Sequence, residues 1–406
     1  MAKSPENIIF TAGFPVYLHG FSAIDSYIGR NASAAVRVLC GADLADLARL
    51  FDGLRYPGAA FADAAVDYGG KTWYFYCEDS GLSPSSFEGV RDMLSRRSSF
   101  KFLEFCRDCK SSHFYDPHDV YSLLRCIRNG IVYSDTNAVQ WWKEINPDAS
   151  VCRTLIDGAM ILARYFPETS SREINAIAAG FYSLNGAAPP ETEEQRLLLT
   201  GLLEAANPGP GFELLKSSGF IAAYWPELAA LDDVDHSKEF HPEGNVWKHT
   251  METLRYRKAG AHGTISPDPG PGFDLRLSLG LLLHDIGKPL SQAAGSRRFD
   301  GHAELGERQA RRFLERLGFN GPLVHDVCYL VRNHMLPAAL PRLPLVRTGE
   351  IMDSSLFPAL LELYRCDESS SFKGLDGYYE SSAAYKSYLK YRRNPYRNVM
   401  ANYPRQ

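Results

Sequence analysis

The sequence predicts a small domain mixing α and β structure at the N-terminus, followed by an all-α remainder. Two observations carry that division: short β-rich runs occur only before about residue 130, and apolar segments of helical period and length follow one another from about residue 140 to the end. The chain has 406 residues, 45% hydrophobic and 23% charged, which supplies ample packed core and excludes a disordered or fibrous chain. At about 100 to 200 residues per domain, that length suggests two to four domains.

Taken in order, Ile8-Ile9-Phe10, Val16-Tyr17-Leu18, Val36 to Leu39 and Thr72 to Tyr76 read as strands. Leu44 to Phe51 carries the 3.6 period of an amphipathic helix lying on a sheet. In the helical part, Ala205 to Gly211 and Gly263 to Gly272 read as linkers, because their Pro and Gly stop a helix. Asp233-Val234-Asp235 reads as a solvated loop.

The net charge of −4, from 44 basic and 48 acidic side chains, argues against a protein that coats nucleic acid indiscriminately, and leaves room for a local basic groove. The N-terminus lacks the basic-then-apolar pattern of a secretory signal, and no run reaches the roughly 18 apolar residues of a membrane span. A cytoplasmic location and no membrane partner are expected. Eight scattered cysteines do not form a secreted disulfide scaffold. Cys106 and Cys109 make one isolated C-x-x-C without further ligands at finger-like spacing, and read as two ordinary thiols.

Eight of the eleven histidines fall between His236 and His334, so chemistry is sought there. The sharpest feature is Leu281 to Pro289, an apolar helix ending in His284-Asp285 just before Gly287-Lys288-Pro289. Neighbours on a helix point about 100° apart, so this pair can grip one ion only near a helix end or in a groove. His249 lies near the start of a helix that Asn245 can cap. Val327, Leu330, Val331 and His334 share one face of a helix over Leu323 to Met335, which turns His334 inward.

Asp367 shares a helical face with Leu356, Leu360 and Leu363, where an unpaired carboxylate costs several kcal/mol. It needs a cation. A lone inward His is usually a satisfied core residue, but an inward Asp and an inward His in one short region favour a shared metal. His302, opening an amphipathic helix that runs through Phe313 and Leu317, is a candidate ligand of a second ion. One or two divalent ions are expected, with Mn, Fe, Co, Ni and Mg not distinguished, and imidazole mixed with carboxylate arguing against calcium. Such an ion suits phosphoester hydrolysis, with Lys288 either a phosphate partner or a solvated helix-end lysine.

His249, His284-Asp285 and Asp367 resemble the pattern of the HD superfamily of metal-dependent phosphohydrolases. Glu239 to Thr250, Gly301-His302-Ala303-Glu304 and Val331 to Met335 resemble the HD domain of bacterial tRNA nucleotidyltransferases (CCA-adding enzymes) and related poly(A) polymerases. Arg196 to Leu231 is similar to that family's neck and body helices. The resemblance spans about residues 190 to 370. It implies an α+β nucleotidyltransferase-like head followed by an all-α region containing an HD domain, divided as 1–135 head, 136–235 neck and body, 236–370 HD domain and 371–406 helical tail.

The head departs from the family. Leu18 to Arg30 keeps the frame of the family's opening turn, with Asp25 where its Asp stands, but Asn31 to Val38 has no carboxylate where the family carries D-x-D. Two-metal nucleotidyl transfer needs acidic ligands, which Ala34 and Val36 cannot supply. The later Arg-Arg-Asp motif survives only as Arg96-Arg97-Ser98.

The reading is a metal-dependent phosphohydrolase acting on a nucleotide or RNA-end phosphate, with an inactive polymerase-like head that can still bind nucleotide or RNA, tRNA included. His249, His284, Asp285 and Asp367 are assigned to the principal ion and His302 and His334 to a second. Asp285, Lys288 and His241 are the residues assigned to catalysis. Two readings compete. An active CCA-adding or poly(A)-adding enzyme requires Asp63, Asp67 or Asp79 to converge where the D-x-D would lie. A non-catalytic RNA- or nucleotide-binding protein keeps the metal as a structural element. Trp141-Trp142-Lys143 and Tyr385 to Arg397 mix aromatic and basic residues as base-stacking segments do, although such a stripe is more often helix packing with a basic edge.

Overall fold

The computed structural model describes residues 4–29, 35–56, 62–77, 86–97, 104–117, 151–179, 189–205, 207–235, 244–257, 274–296, 298–372 and 374–393. The chain divides into two compact units, Met1–Pro226 with Pro269–Leu275 and Arg316–Asn320, and Glu227–Asp268 with Arg276–Glu315 and Gly321–Gln406. Several sequence expectations lie outside the described residues: His241, Asp79, Asn31 to Ala34, Ser98, Trp141 to Lys143 and the Gly263 to Gly272 linker.

In the first unit, strands β1 (Val16–His19), β2 (Ala35–Cys40), β3 (Ala64–Tyr68), β4 (Lys71–Tyr76), β5 (Cys106–Asp108) and β6 (Phe114–Tyr115) form one sheet in the order β3-β4-β2-β1-β5-β6. β2 runs antiparallel to β1, with Val38 opposite Leu18, and parallel to β4, with Val38 opposite Phe75. All of β2 is buried, as a central strand covered on both faces should be. Helices α1 (Pro5–Thr11), α2 (Phe21–Ile28), α3 (Leu44–Leu50) and α4 (Phe87–Arg97) accompany the sheet. Asp43 caps α3 by accepting from the Asp46 amide, and Asp46 returns the bond, which closes a capping box.

Two expectations are corrected here. Ile8-Ile9-Phe10 is not a strand but part of α1, because Pro5 presets the first helical turn and the helix buries Ile9 while leaving Phe10 exposed. Ala205 to Gly211 is not an open linker. After α5 (Val151–Tyr165), α6 (Ser171–Ala179) and α7 (Thr192–Glu204), helix α8 (Gly209–Ser217) starts inside it, with Pro210 in the first turn. Gly211 is needed for packing, since a Cβ there would overlap the Ala159 carbonyl and the Leu202 side chain. The Gly and Pro mark a close helix approach rather than flexibility.

Two buried ion pairs lie in this unit. Arg164 Nη2 on α5 meets Asp25 Oδ2 on α2 at 2.6 Å, and the Tyr165 hydroxyl donates to Asp25 Oδ1 at 3.0 Å. Arg37 on β2 grips Glu204 on α7 through both guanidinium nitrogens, one of them at 2.6 Å from Oε2. Asp63 accepts from the Cys77 amide at 2.8 Å, and Asp67, on edge strand β3, accepts from Arg55 at 2.7 Å and Thr72 at 2.8 Å. Burial pushes the Cys106 and Cys109 thiols up, to about 12 and about 11, as unreactive thiols in an apolar setting.

The second unit is helical throughout its described residues apart from a single β-bridge between Asp235 and Asn245. Its main helices are α9 (Val246–Arg255), α10 (Leu275–Leu283), α11 (Lys288–Ala293), α12 (His302–Arg316), α13 (Gly321–Asn333), α14 (Leu336–Ala339), α15 (Leu345–Met352), α16 (Phe357–Ser369) and α17 (Asp376–Arg393). α10 buries every residue from Leu277 to Leu283, as a helix apolar on all sides must. On α17, Tyr385 packs on Phe357 and the Tyr388 hydroxyl donates to Asp353 at 2.6 Å, so these members of the aromatic stripe serve packing. No described helix is long and apolar enough to cross a membrane.

Candidate metal centre

The second unit gathers all six expected metal ligands. Asn245 caps α9 by accepting from the Lys248 amide at 3.1 Å, and this start places His249 in the first turn. His284 and Asp285 follow α10 directly, in the tight turn before α11 whose first turn holds Pro289. The helix therefore ends where the His-Asp pair begins, and the turn lets two adjacent residues face one point. His334 stands one residue beyond α13 rather than within it, so the helical period alone does not aim it. His302 opens α12, and Asp367 lies on α16.

Asp285 is the hub. Its Oδ2 lies 3.3 Å from His284 Nε2 and 4.0 Å from His249 Nε2, while its Oδ1 lies 3.6 Å from His302 Nε2 and 3.9 Å from His334 Nε2. Asp367 Oδ1 lies 3.0 Å from His249 Nε2 and 3.9 Å from His284 Nε2. Two sets of ligand atoms are close enough to hold an ion, His249 with His284 and Asp285, and Asp285 with His302 and His334. Lys288 Nζ sits 2.6 Å from Asp285 Oδ2.

The ring tautomers follow from the backbone. His284 Nδ1 donates to the Leu281 carbonyl at 2.8 Å, His302 Nδ1 to that of Phe299 at 2.8 Å, and His334 Nδ1 to that of Val331 at 2.7 Å. The Ser370 hydroxyl donates to the Asp367 carbonyl at 2.6 Å, which leaves its oxygen to accept from His249 Nδ1 at 3.1 Å. All four rings thus turn an Nε2 lone pair inward, the arrangement that suits metal ligation. The His302 and His334 lone pairs face each other at 3.1 Å, and buried His284 Nε2 has no hydrogen-bond partner among the described residues. Lone pairs opposed at that range need a cation between them.

Burial opposes ionisation of Asp285, but its interactions with neighbouring His284 and Lys288 outweigh it and hold the carboxyl well below the usual range. Burial likewise pushes Asp367 up, and the adjacent His249 imidazole outweighs it, leaving the carboxyl below the usual range. Burial, reinforced by the neighbouring His284, drops the His334 imidazole to about 4, and burial lowers His302 as well. Ionised carboxylates beside His302 and His334, whose burial favours the neutral imidazole, are protonation states that suit a divalent cation. The residues present therefore fit a divalent ion.

The cluster opens into a cavity of about 250 Å³, also lined by Lys288, Arg298, Phe299, Met335, Tyr364 and Glu368. Sequence reasoning missed Ser370, one helical turn after Asp367, and the wall residues Arg298 and Phe299. The only signal for the latter pair was proximity in sequence to His302.

Residues 246–356 match the HD domain family, a span that takes in five of the six ligands; Asp367 follows it. The chain is 32% identical over 169 residues to a CC-adding tRNA nucleotidyltransferase of Thermus thermophilus, covering 41% of this chain and 36% of that protein. It is 36% identical over 133 residues to a multifunctional CCA protein of Halorhodospira halophila, covering 32% of this chain and 28% of that protein. The matched region spans about a third of the length of each of these relatives. Among solved structures it is similar to the Bacillus stearothermophilus CCA-adding enzyme in complex with CTP, at 13% identity and a TM-score of 0.38 over 99% of this chain and 87% of that one.

Proposed function

We propose that the HD domain over residues 246–356, with Asp367, is a metal-dependent phosphohydrolase that cleaves a phosphomonoester or 2′,3′-cyclic phosphate on a nucleotide or RNA end. The observation that carries this reading is the position of Asp285, with one carboxylate oxygen toward His249 and His284 and the other toward His302 and His334. Six candidate ligands, five of them lining one cavity, suit two open sites better than one closed four-coordinate structural site.

His249, His284, Asp285 and Asp367 would hold the principal ion, and His302 and His334 would share Asp285 at a second; manganese, iron, cobalt, nickel and magnesium all accept such donors. A divalent ion there supplies Lewis acidity to a phosphoryl oxygen and lowers the pKa of water towards neutrality. The chain contributes orientation and charge. The Nδ1 bonds to Leu281, Phe299 and Val331 stop the rings from rotating away. Lys288 reaches the cluster as a point charge for the substrate phosphate. His241 is assigned to the same phosphate on the resemblance alone.

On this reading the head performs no nucleotidyl transfer. Asp25 is engaged by Arg164 and Tyr165, and β2 carries buried Val36 at one of the positions where the family has a carboxylate. A second reading, nucleotide addition to a tRNA end, is favoured by the names of the relatives. It requires acidic ligands in the head, and the partners of Asp63 and Asp67 on other strands and loops speak against their filling that role.

The test is hydrolysis of bis-p-nitrophenyl phosphate, a 2′,3′-cyclic nucleotide and a nucleoside monophosphate by metal-stripped protein re-supplied with manganese, cobalt, nickel or magnesium. Activity restored by metal and lost in His284→Ala and Asp285→Ala is expected. Silence with every metal, while CTP and ATP are incorporated into tRNA, would establish the second reading instead.

A further inference from the structure

The cavity wall beside the ligand cluster carries one unused cation and one strained aromatic residue, adjacent in sequence. Of the acidic wall residues, Asp285 and Asp367 belong to the cluster, and Glu368 is tied down on both oxygens, by the Tyr364 hydroxyl at 2.5 Å and the Tyr378 amide at 2.7 Å. Lys288 is engaged with Asp285. Arg298, exposed on the wall, makes no ion pair or hydrogen bond among the described residues.

Phe299 holds φ at +57°, a backbone conformation that a bulky side chain rarely adopts. Strain of this kind persists where surrounding contacts impose it, and it clusters at functional sites. Here it does two things at once: it aims the Phe299 carbonyl at His302 Nδ1, and it lays the ring on the wall 5.5 Å from Lys288 Nζ. Phe299 thus packs beside the inner cation, Lys288, while neighbouring Arg298 stays exposed on the same wall. Arg298, Phe299 and five of the six candidate ligands line this one cavity, of about 250 Å³.

We propose that Arg298 and Phe299 form a subsite for a nucleoside flanked by two phosphates, with the scissile phosphate at the ligand cluster, the base or sugar face against Phe299, and the neighbouring 5′ phosphate on Arg298. This rests on the phosphohydrolase reading and narrows its substrate class to an RNA 3′ end or a nucleoside 3′,5′-bisphosphate, as opposed to a nucleoside carrying one phosphate. Arginine pairs with a phosphate through two parallel bonds, and stacking on an aromatic face tolerates any base, so the subsite would select the phosphate pattern and not the sequence.

The test measures binding apart from turnover. Manganese-loaded protein is titrated by calorimetry with the non-hydrolysable 3′-methylenephosphonate analogues of adenosine 3′-monophosphate and adenosine 3′,5′-bisphosphate. The bisphosphate should bind about tenfold or more tightly, as one charge-assisted contact supplies. Arg298→Ala should abolish that difference, while Arg298→Lys retains part of it. Phe299→Gly adopts the same backbone without strain, keeps the carbonyl for His302, and should weaken both ligands about tenfold at unchanged manganese stoichiometry. Equal binding of the two ligands, or a difference that survives in Arg298→Ala, overturns the subsite. Hydrolysis of bis-p-nitrophenyl phosphate is read alongside: turnover without the binding difference refutes the subsite alone, and the binding difference without turnover refutes the phosphohydrolase reading alone.

Discussion

The backbone of Gly287, in the turn that carries His284 and Asp285, lies directly against the backbone of Gly306 on α12. A Cβ on Gly287 would overlap the His302 carbonyl and come within 2.9 Å of Gly306 Cα. Two glycines therefore set how closely the turn bearing Asp285 approaches the helix bearing His302. Gly287→Ala should push α12 outward, cost about 1–3 kcal/mol through overpacking, and weaken the ion held by Asp285, His302 and His334 more than its neighbour. Manganese titration with thermal unfolding checks this, and equal weakening of both ions would contradict it.

The ligand set predicts unequal roles for its members. Asp285→Ala removes the carboxylate common to both groups and should abolish binding of both ions, whereas His302→Ala or His334→Ala should leave one. Ion stoichiometry by elemental analysis after dialysis distinguishes these outcomes.

Ser370 holds His249 in its ligating tautomer while offering no ligand atom of its own. Ser370→Ala should lower affinity for the principal ion by about 10–100-fold with little change in fold, in the manner of other partners that orient a metal-bound histidine. Competition against a chelator of known affinity measures the loss.

Stability of the metal-free protein should fall as the solution is acidified from about pH 6.5 to about pH 4. The folded-state value for His334, about 4, lies below the ordinary 6.5, so across that window the unfolded chain binds a proton that the folded one refuses. The difference is about 3 kcal/mol at most, and it levels off below pH 4. Asp285 and Asp367 have depressed values, so their stabilising contribution persists through the window and is lost only at lower pH. Urea midpoints at pH 7, 5.5 and 4 follow the change, and His334→Gln should flatten it.

In the first unit, Asp25→Ala leaves Arg164 buried without its carboxylate. Removing one partner of a buried pair costs about 3–5 kcal/mol, so the urea midpoint of the first unit should drop. Manganese binding should stay the same, because all six candidate ligands belong to the second unit.

Residue type and local pattern were sufficient for much of this protein. The 3.6 period placed α3, α13 and α16, the β-branched and aromatic runs placed β1, β2 and β4, and the His-Asp pair after an apolar run marked the centre, because these signals depend on near neighbours in the chain. Ile8 to Phe10 misled for the same reason: its strand-like composition yields to a proline-started helix once Ile9 finds a place in the core.

What only the tertiary structure decided depends on residues far apart in sequence. Asp25, which stands where the family's Asp stands, is an ion-pair partner because α5 brings Arg164 to it from 139 residues away. The division of six ligands into two groups about Asp285 comes from the turn after α10 meeting α9, α12 and the end of α13, with Gly287 and Gly306 fixing the approach. Ser370 and Phe299 acquire roles through a hydroxyl and a carbonyl aimed at particular ring nitrogens. Sequence composition and spacing identify groups able to bind a cation, but the direction of each lone pair is set by hydrogen bonds and packing that form only when the helices meet.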